Sequence, residues 1–408
     1  MARNLSTRFP LVVSVVLTFG DARMVIQCRC GEIYQAGEKE AGGWLRCRCG
    51  RIVQVPRSTA SGGARAPALQ EARRATIARW LSRASWSYLA AAVIAWALLW
   101  TLSDRWWPAT LLLFGPRWIL LLPLIVLLSA AAVLRRSLLV PLLAAMAILL
   151  VPVMGLRVGW RSWLGANDAP TALRVVTLNT DAAEWLALEL PSRVEQWRAD
   201  IVALQECSEA LRETVQSMTG WHSHSGEQLC LLSRYPVREA SVITWDDLAP
   251  ARETGVGGSS QAAKYVIEMP HRRIRFVNLH LETARKGVEG ALQLGVRRIK
   301  ENTVLRAAES QRTRAWLAGD EGSLVVVGDF NMPVESAIYR RDWSDFRNAF
   351  SDIGIGFGMT RDNGWIQVRI DHILTGTSWR AKTAVVGPVT GHDHRPVIAE
   401  LSWVDARS

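Results

Sequence analysis

Leu324-Val325-Val326-Val327-Gly328-Asp329-Phe330-Asn331 is an unbroken apolar run that stops on a glycine and then delivers a carboxylate and an amide. A short continuous run of β-branched residues reads as a strand buried on both faces. The same plan recurs through residues 170–408. Leu173 to Leu178 runs into Asn179 and Asp181, Asp200 to Leu204 into Gln205 and Glu206, and Ile274 to Val277 into Asn278 and His280. Val368 to Ile370 ends at Asp371 and His372, and Val385 to Val389 leads into His392, Asp393 and His394. A lone Asp after a strand is ordinarily a helix cap or a turn residue. Six such ends imply instead that a packed sheet gathers them at one rim, making an acidic pocket with histidines on a rigid base. Helical stretches alternate with the runs, which predicts an α/β domain.

Seven motifs carry a family resemblance. They are Leu178-Asn179-Thr180-Asp181, Ala203-Leu204-Gln205-Glu206, Leu232-Ser233-Arg234-Tyr235-Pro236 and Asn278-Leu279-His280-Leu281, then Gly328-Asp329-Phe330-Asn331, Arg369-Ile370-Asp371-His372 and Asp393-His394-Arg395-Pro396-Val397. In this order they resemble the endonuclease/exonuclease/phosphatase superfamily with its DNase-like fold, and they cover essentially all of 170–408. The resemblance implies a DNase-like two-sheet α/β sandwich with helices on its outer faces, and a hydrolase acting on phosphate mono- or diesters. It implies that Glu206, Asp393 and the Asn179/Asp181 pair hold the metal. Their hard oxygen donors suit Mg²⁺ or Mn²⁺. His394 is then the general base, Asp371 holds its imidazole in the working tautomer, and Asp329 orients or deprotonates the attacking water. Asn331 and His280 donate to the non-bridging phosphate oxygens. The chain departs from the family at Leu229 and Cys230, where relatives carry a small residue and an amide. It also lacks an insertion rich in aromatics and lysine of the kind suited to damaged duplex DNA.

The 408 residues carry a net charge of +11, with 49% hydrophobic and 21% charged residues. Such a charged fraction excludes a polytopic transporter, and such an apolar fraction excludes a disordered chain. The charge is not spread evenly. Residues 1–169 hold 20 Lys and Arg against 7 Asp and Glu, a net of +13, whereas 170–408 net −2. Cys28-Arg29-Cys30-Gly31 and Cys47-Arg48-Cys49-Gly50 are two near-identical tetrapeptides. Two Gly-ended turns with paired thiols suit structural, tetrahedral Zn²⁺, although the usual spacing is Cys-x-x-Cys. With Gly42 to Arg46 before the second pair and Val55-Pro56 after it, residues 24–56 resemble a small zinc ribbon. Residues 57–84 read as a linker.

Three apolar stretches follow within 85–156: Ser85 to Leu102, Trp118 to Leu134 and Leu138 to Leu156. Each is about 18 residues long, enough to cross a ~30 Å hydrocarbon layer at 1.5 Å per residue, and tryptophans flank them. Arg73, Arg74, Arg79 and Arg83 precede the first and Arg135-Arg136 separate the second from the third. The positive-inside rule then predicts a multi-pass protein of the cytoplasmic (inner) membrane, its N-terminus cytoplasmic and its catalytic domain extracytoplasmic. Residues 157–172 read as a second linker, a tether of at most about 55–60 Å. Residues 1–23 read either as a leader or as a mis-assigned start ahead of Met24, and are set aside.

Other residues carry less. His222 and His224 are expected on an exposed loop or edge strand. His392 is expected to line the pocket or fill space, and Cys207 and Cys230 to be separate buried thiols, a disulfide between them outside the cytoplasm being the alternative. The basic stretch Arg285–Arg314 is expected to be one helix with a solvated face, the sharper alternative being a surface that faces phosphate or lipid headgroups. The partners implied are membrane lipids and a phosphorylated lipid or nucleic-acid substrate, with no clear protein partner. Three functions fit: a membrane-anchored phosphoesterase acting on a lipid-linked or headgroup phosphate, an extracytoplasmic nuclease, and an inactive sensor of a phosphorylated ligand. A domain of net −2 lacks the cationic footprint of tight nucleic-acid binding, and the complete carboxylate and histidine set argues against the sensor.

Overall fold

The computed structural model describes residues 15–16, 23–28, 30–55, 62–160, 170–244, 260–319 and 321–404. The leader reading of 1–23 therefore falls almost wholly outside the described residues. The chain divides into two units, Met1–Trp80 and Leu81–Ser408. In the first, the strands Arg23–Gln27 and Ile33–Gly37 pair antiparallel, as do Trp44–Arg46 and Ile52–Gln54. Each pair brackets one cysteine turn. Backbone N–H groups of Gly31 and Gly50 donate to the carbonyls of Cys28 and Cys47, both at 2.8 Å, with each glycine at positive φ. Among the described residues the ribbon core is Ile26, Ala36 and Val55 with Leu45 and Val53 beside them, too little to hold so small a segment without a further cross-link.

Composition misleads at 57–84. From Gly62 onward this segment is helical, within a helix running Gly62–Thr101. Its alanines, arginines and leucines are strong helix formers and outweigh the Gly-Gly and proline near its start. Among the described residues three helices are long and apolar enough to cross a membrane, over Gln70–Thr101, Arg117–Leu134 and Arg136–Val153.

The second unit carries the expected sandwich. One six-stranded sheet has the spatial order Trp379–Val386, Val397–Trp403, Leu173–Asn179, Ile201–Gln205, Leu229–Ser233, His222–Gly226. The other runs Val237–Thr244, Gln261–Met269, Arg272–His280, Leu324–Asp329, Asp371–Thr375, Arg347–Asn348. Each sheet has one parallel pair at its centre, Leu173–Asn179 with Ile201–Gln205 and Arg272–His280 with Leu324–Asp329. Parallel neighbours end at the same edge, which is why Asn179 lies beside Gln205 and His280 beside Asp329. The inner faces make one core around Val175, Ala203, Tyr265, Phe276 and Val327, and helices Leu186–Trp197 and Arg297–Trp316 pack on the outer faces. A buried polar lock joins the sheets. Gln205 donates to Thr177 Oγ1 (3.0 Å) and Asn278 Oδ1 (2.6 Å), and Asn278 donates to the carbonyls of Leu204 and Cys230.

Four expectations need correction. Cys207 and Cys230 are joined as a disulfide rather than separate. Cys230 lies on a strand paired with Ile201–Gln205, and Cys207 N donates to Gln228 O at 2.9 Å, which brings the two thiols together. The Arg285–Arg314 stretch is two helices, Arg285–Leu294 and Arg297–Trp316, broken at Gly295. Its Arg306 is buried rather than solvated. Asp371 and His372 open a strand instead of following one, but that strand is antiparallel to Leu324–Asp329, so its start meets the end that carries Asp329. Lastly, the start of the 157–172 segment is no free tether, residues 161–169 lying outside the described residues. Arg157–Val158 pairs antiparallel with Ile355–Gly356 of the catalytic domain. His222–Gly226 is an edge strand, as expected of its two histidines.

The loop between the first two apolar helices is built into the catalytic domain. Asp104, itself buried, accepts from Arg306 Nη1 at 3.2 Å and from the Ser336 hydroxyl, at the N-terminus of helix Ala337–Asp342. Ser103 Oγ donates to Glu335 O at 3.0 Å. Arg340 donates to the carbonyls of Leu99 (3.4 Å) and Trp100 (2.6 Å), which caps the end of the first helix. Arg117 bridges Val153 O (2.6 Å) and Glu335 (3.4 Å).

One carboxylate on this face sets a pH dependence. Burial, offset in part by the Ser260 hydroxyl, pushes Glu309 up to about 8. The folded protein therefore keeps a proton there that the unfolded chain releases above about 4.5. This contribution is complete below that pH and is lost as pH rises through 8. Glu309→Gln, which mimics the protonated acid, is expected to raise the thermal midpoint at pH 9 relative to wild type and to leave a smaller difference at pH 5, measured by unfolding of the full-length protein at both.

Candidate active site

Gly328 decides how the Leu324–Asp329 strand ends. It sits at φ +135°, and a Cβ there would lie 1.9 Å from Leu279 O, so no other residue fits. The chain then turns at Asn331 (φ 50°), whose backbone N–H donates to Asp329 Oδ1 at 2.8 Å. Asp181 (φ 48°) and Glu206 (φ 54°) are also left-handed. For Glu206 this is strained backbone, of the kind held at functional sites by the surrounding structure.

The rim is one pocket of about 140 Å³. Its walls hold the carboxylates Asp181, Glu206, Asp329 and Asp393, the imidazoles His280 and His394, the amide of Asn331, and the cations Arg285, Lys286 and Arg361. A larger cavity of about 500 Å³, lined by Phe350, Lys382 and Val385 among others, contains none of these groups. Asp329, Asp371 and His394 each bring a polar atom within 4.8 Å of the others. His394 Nδ1 faces Asp371 at 3.1 and 3.3 Å, and its Nε2 lies 3.8 Å from Asp329 Oδ2 and 3.8 Å from Asp393 Oδ1. Burial alone would depress His394, but the Asp371 carboxylate, with Asp329 and Asp393 behind it, lifts it to about 9. Burial and the neighbouring Asp371 push Asp329 up to about 6. His280 Nε2 lies 3.5 Å from Glu206 and 3.9 Å from Asp329.

Two expected site residues stand behind the pocket wall. Asn179 is buried, and its amide donates to Glu206 Oε1 (2.9 Å) and Asp329 Oδ2 (3.0 Å) while its Oδ1 accepts from Asp181 N (2.9 Å). It fixes three carboxylate residues at once. Asp371 is fixed from behind by Thr360 Oγ1, which accepts from the backbone N–H groups of Ile370 and Asp371, both at 3.0 Å. Asn331 commits one amide hydrogen to Leu281 O at 2.8 Å and still faces the pocket. His372 points to the opposite face of its strand, against Phe330 and Tyr339, where burial drives it down to about 3. His392 shapes the loop, its ring at 3.0 Å from Thr390 Oγ1 and accepting from His394 N at 3.2 Å.

Sequence reading missed Thr360 and Arg361. Arg361 donates from Nε to Asp393 Oδ2 at 2.8 Å, its backbone bridges to His394, and Asp362 N donates to Asp393 O. No apolar run precedes either residue, so no pattern marked them. Arg285 and Lys286 were marked only as members of a basic stretch. Four carboxylates converging on a small polar pocket form a hard-oxygen donor set, which fits a divalent cation such as Mg²⁺.

Solved structures similar to this chain include these three. A mannosyl-6-phosphatase of Bacteroides thetaiotaomicron is 17% identical with a TM-score of 0.42, covering 57% of this chain and all of that one. TDP2 of D. rerio with a single-strand DNA product is 13% identical (TM-score 0.43; 56% and 98%). A 3′ phosphatase from Neisseria bound to a product DNA hairpin is 20% identical (0.41; 57% and 100%). No match is found among curated proteins. The model of the Endonuclease/Exonuclease/phosphatase family matches residues 172–402, more than half of the sequence and the whole two-sheet domain. The chain belongs to this family of hydrolases acting on phosphoester bonds.

Proposed function

We propose that this protein is a membrane-anchored, divalent-metal-dependent phosphoesterase that hydrolyses a lipid-linked or headgroup phosphate. The observation that carries the reading is the buried Asp104–Arg306 pair. It fastens the loop between two apolar helices to the catalytic domain, and Arg306 Nη2 also donates to Asn331 O at 3.1 Å. Such a fastening keeps the pocket at the bilayer surface, where substrates in the bilayer are concentrated.

Glu206, Asp181 and Asp393 would hold the cation, Asn179 keeping Glu206 and Asp181 in place. When bound, the cation supplies charge neutralisation on the phosphate oxygens and on the surrounding carboxylates. A water oxygen bonds to phosphorus while the bond to the leaving oxygen breaks. The water proton would pass to Nε2 of the neutral His394 imidazole, held by Asp371; the charge of a bound cation on the carboxylates that lift His394 to about 9 would favour that neutral form, and the leaving oxygen takes a proton from solvent. Asp329 orients the water, and Asn331, His280 and the cations Arg285, Lys286 and Arg361 face the developing charge.

We place the cysteine cluster in the cytoplasm and the catalytic domain outside it. The arginine distribution supports this, and so do the helix ends near Thr101, Arg117 and Val153, all in contact with the catalytic domain or its docking loop. The Cys207–Cys230 disulfide suits an oxidising compartment, and the four free thiols a reducing one. Those thiols approach within 4.8 Å of one another, with Cys28–Cys49 at 3.8 Å and Cys30–Cys47 at 3.4 Å. Tetrahedral zinc with bonds of ~2.3 Å needs sulfurs about 3.8 Å apart, so structural Zn²⁺ fits. The full-length protein is expected to purify with zinc that Cys28→Ser with Cys47→Ser removes. Metal analysis that finds no zinc in wild type contradicts this.

The functional reading is tested by giving full-length protein Mg²⁺ and a soluble aryl phosphodiester, phospholipid vesicles, plasmid DNA or RNA, beside His394→Ala. Turnover of lipid that is lost in the variant is the expected result. Nicking of plasmid without lipid turnover moves the assignment to a nuclease, and binding without any turnover moves it to a sensor.

A further inference from the structure

A second cavity, also of about 140 Å³, shares Thr283, Arg285, Asn331 and Arg361 with the catalytic pocket. Its character is different. Beyond the shared polar border, the walls are largely apolar, and one of them comes from outside the catalytic domain. Phe114 is the last residue of the helix Trp107–Phe114, which follows the first apolar span. Its ring lies 4.9 Å from the Arg306 guanidinium, the same group that holds Asp104 and Asn331 O. The opposite wall is a hairpin in which Arg361–Asp362 pairs with Gln367–Val368, Arg361 directly across from Val368. At one end of this hairpin Arg361 grips Asp393 in the catalytic pocket. At its turn, exposed Trp365 packs on Trp118, 5.9 Å between centroids, and accepts from Trp118 Nε1 at 3.0 Å. Trp118 opens the second apolar span. One hairpin thus runs from the catalytic carboxylates to the end of a membrane-crossing helix.

We propose that Phe114, with Ala284, Val288, Ile366, Val368 and Ile370, forms a subsite for the hydrocarbon esterified to the phosphate. The substrate class is an amphiphilic alkyl phosphoester whose phosphate sits among Arg285, Arg361 and Asn331 and whose first carbons enter the apolar cavity. The proposal rests on the lipid-phosphate reading and sharpens it. Two features select this occupant. The cavity opens onto the phosphate position through a cationic border, and its far walls come from the helix that joins two of the apolar spans and from the hairpin that touches the second of them. Its volume admits about five groups the size of a water or methylene, at ~30 Å³ each, so the remainder of a long chain stays outside the subsite.

The test uses full-length protein with Mg²⁺ and a series of alkyl 4-nitrophenyl phosphodiesters from methyl to octyl, kept below their micellar concentrations. In wild type, kcat/KM is expected to rise about fourfold per methylene up to roughly five carbons and then level off. Phe114→Ala and Val288→Asp are expected to flatten this slope, cutting the pentyl-to-methyl ratio by on the order of tenfold or more. If Phe114→Ala fails to fold because its stack on Arg306 is lost, Val288→Asp decides alone. A flat wild-type series, or parallel slopes in wild type and variants, overturns the subsite. Should phospholipid vesicles still be hydrolysed in that case, the lipid reading stands without it. Plasmid nicking with no turnover of lipid or alkyl diester removes the lipid reading itself, and the subsite with it.

Discussion

Replacing His394 with alanine is expected to lower kcat on a generic phosphodiester by about 10²–10⁴-fold, with a smaller change in KM. The imidazole is the one group in the pocket that combines a free ring nitrogen facing Asp329 and Asp393 with a carboxylate partner on its other nitrogen. Removing it takes away the proton acceptor without emptying the carboxylate set, so the cation should still bind. Asp371→Asn is expected to act in the same direction. An amide can donate to Nδ1 and so stabilise the tautomer that leaves Nε2 protonated and unable to accept. The two changes act on one unit, and the double variant should be little worse than His394→Ala alone. Steady-state kinetics on the three variants checks this. A loss of less than tenfold for His394→Ala would assign the proton transfer to Asp329 instead.

The second large effect is expected far from the chemistry. Asp104→Ala should destabilise the full-length protein by about 3–5 kcal/mol, because Arg306 is then a buried charge without its partner. The Arg306 and Asp104 side chains are each 1% exposed, so water cannot replace the lost carboxylate. The Ser336 hydroxyl loses its acceptor as well. Activity should fall with stability, since the freed guanidinium no longer fixes the Asn331 carbonyl. A surface ion pair would contribute only about 0–1 kcal/mol, so the size of the effect distinguishes a docked loop from a loose one. Combining Asp104→Leu with Arg306→Met should recover much of the stability, as apolar pairs often replace buried ion pairs at little cost. Recovery of stability without recovery of kcat would separate Arg306's hold on Asn331 from its structural role. Thermal unfolding in detergent, paired with kinetics, gives both readouts.

The catalytic rim was legible because each of its residues follows, or faces across a strand pair, a run of strand-forming residues. Leu324 to Gly328 announces Asp329, and the period of two in Asp371-His372 already requires one side chain to face the site and the other to face away. Which one faces inward needed the register of Asp371 against Asp329. Thr360 and Arg361 were invisible because Thr360 lies just ahead of, and Arg361 within, a two-residue strand that no apolar run announces, and because they act through pairings some 10 to 32 residues distant. The docking of the loop between the apolar helices was hidden for the same reason. Asp104 and Arg306 lie 202 residues apart, and a single Asp in a short loop carries no local signal. Composition failed where propensity and tertiary pairing overrode it. The presumed linker before Ser85 contains good helix formers, and the presumed tether after Leu156 finds a strand partner in Ile355–Gly356. Cys207, just past the strand Ile201–Gln205, and Cys230 are neighbours only because that strand pairs with Leu229–Ser233. The uneven charge, by contrast, was informative from the start. The basic excess lies with the cysteine segment and the apolar helices, and the slightly acidic remainder surrounds the pocket.

The most direct measurement reconstitutes the full-length protein in phospholipid vesicles, adds Mg²⁺ and plasmid DNA to the same tube, and follows release of lipid headgroup and nicking of DNA together. A membrane-held lipid phosphoesterase should hydrolyse the bilayer's own phosphoesters in a His394-dependent way and leave the plasmid closed. His394-dependent nicking of the plasmid with the lipids intact would contradict it.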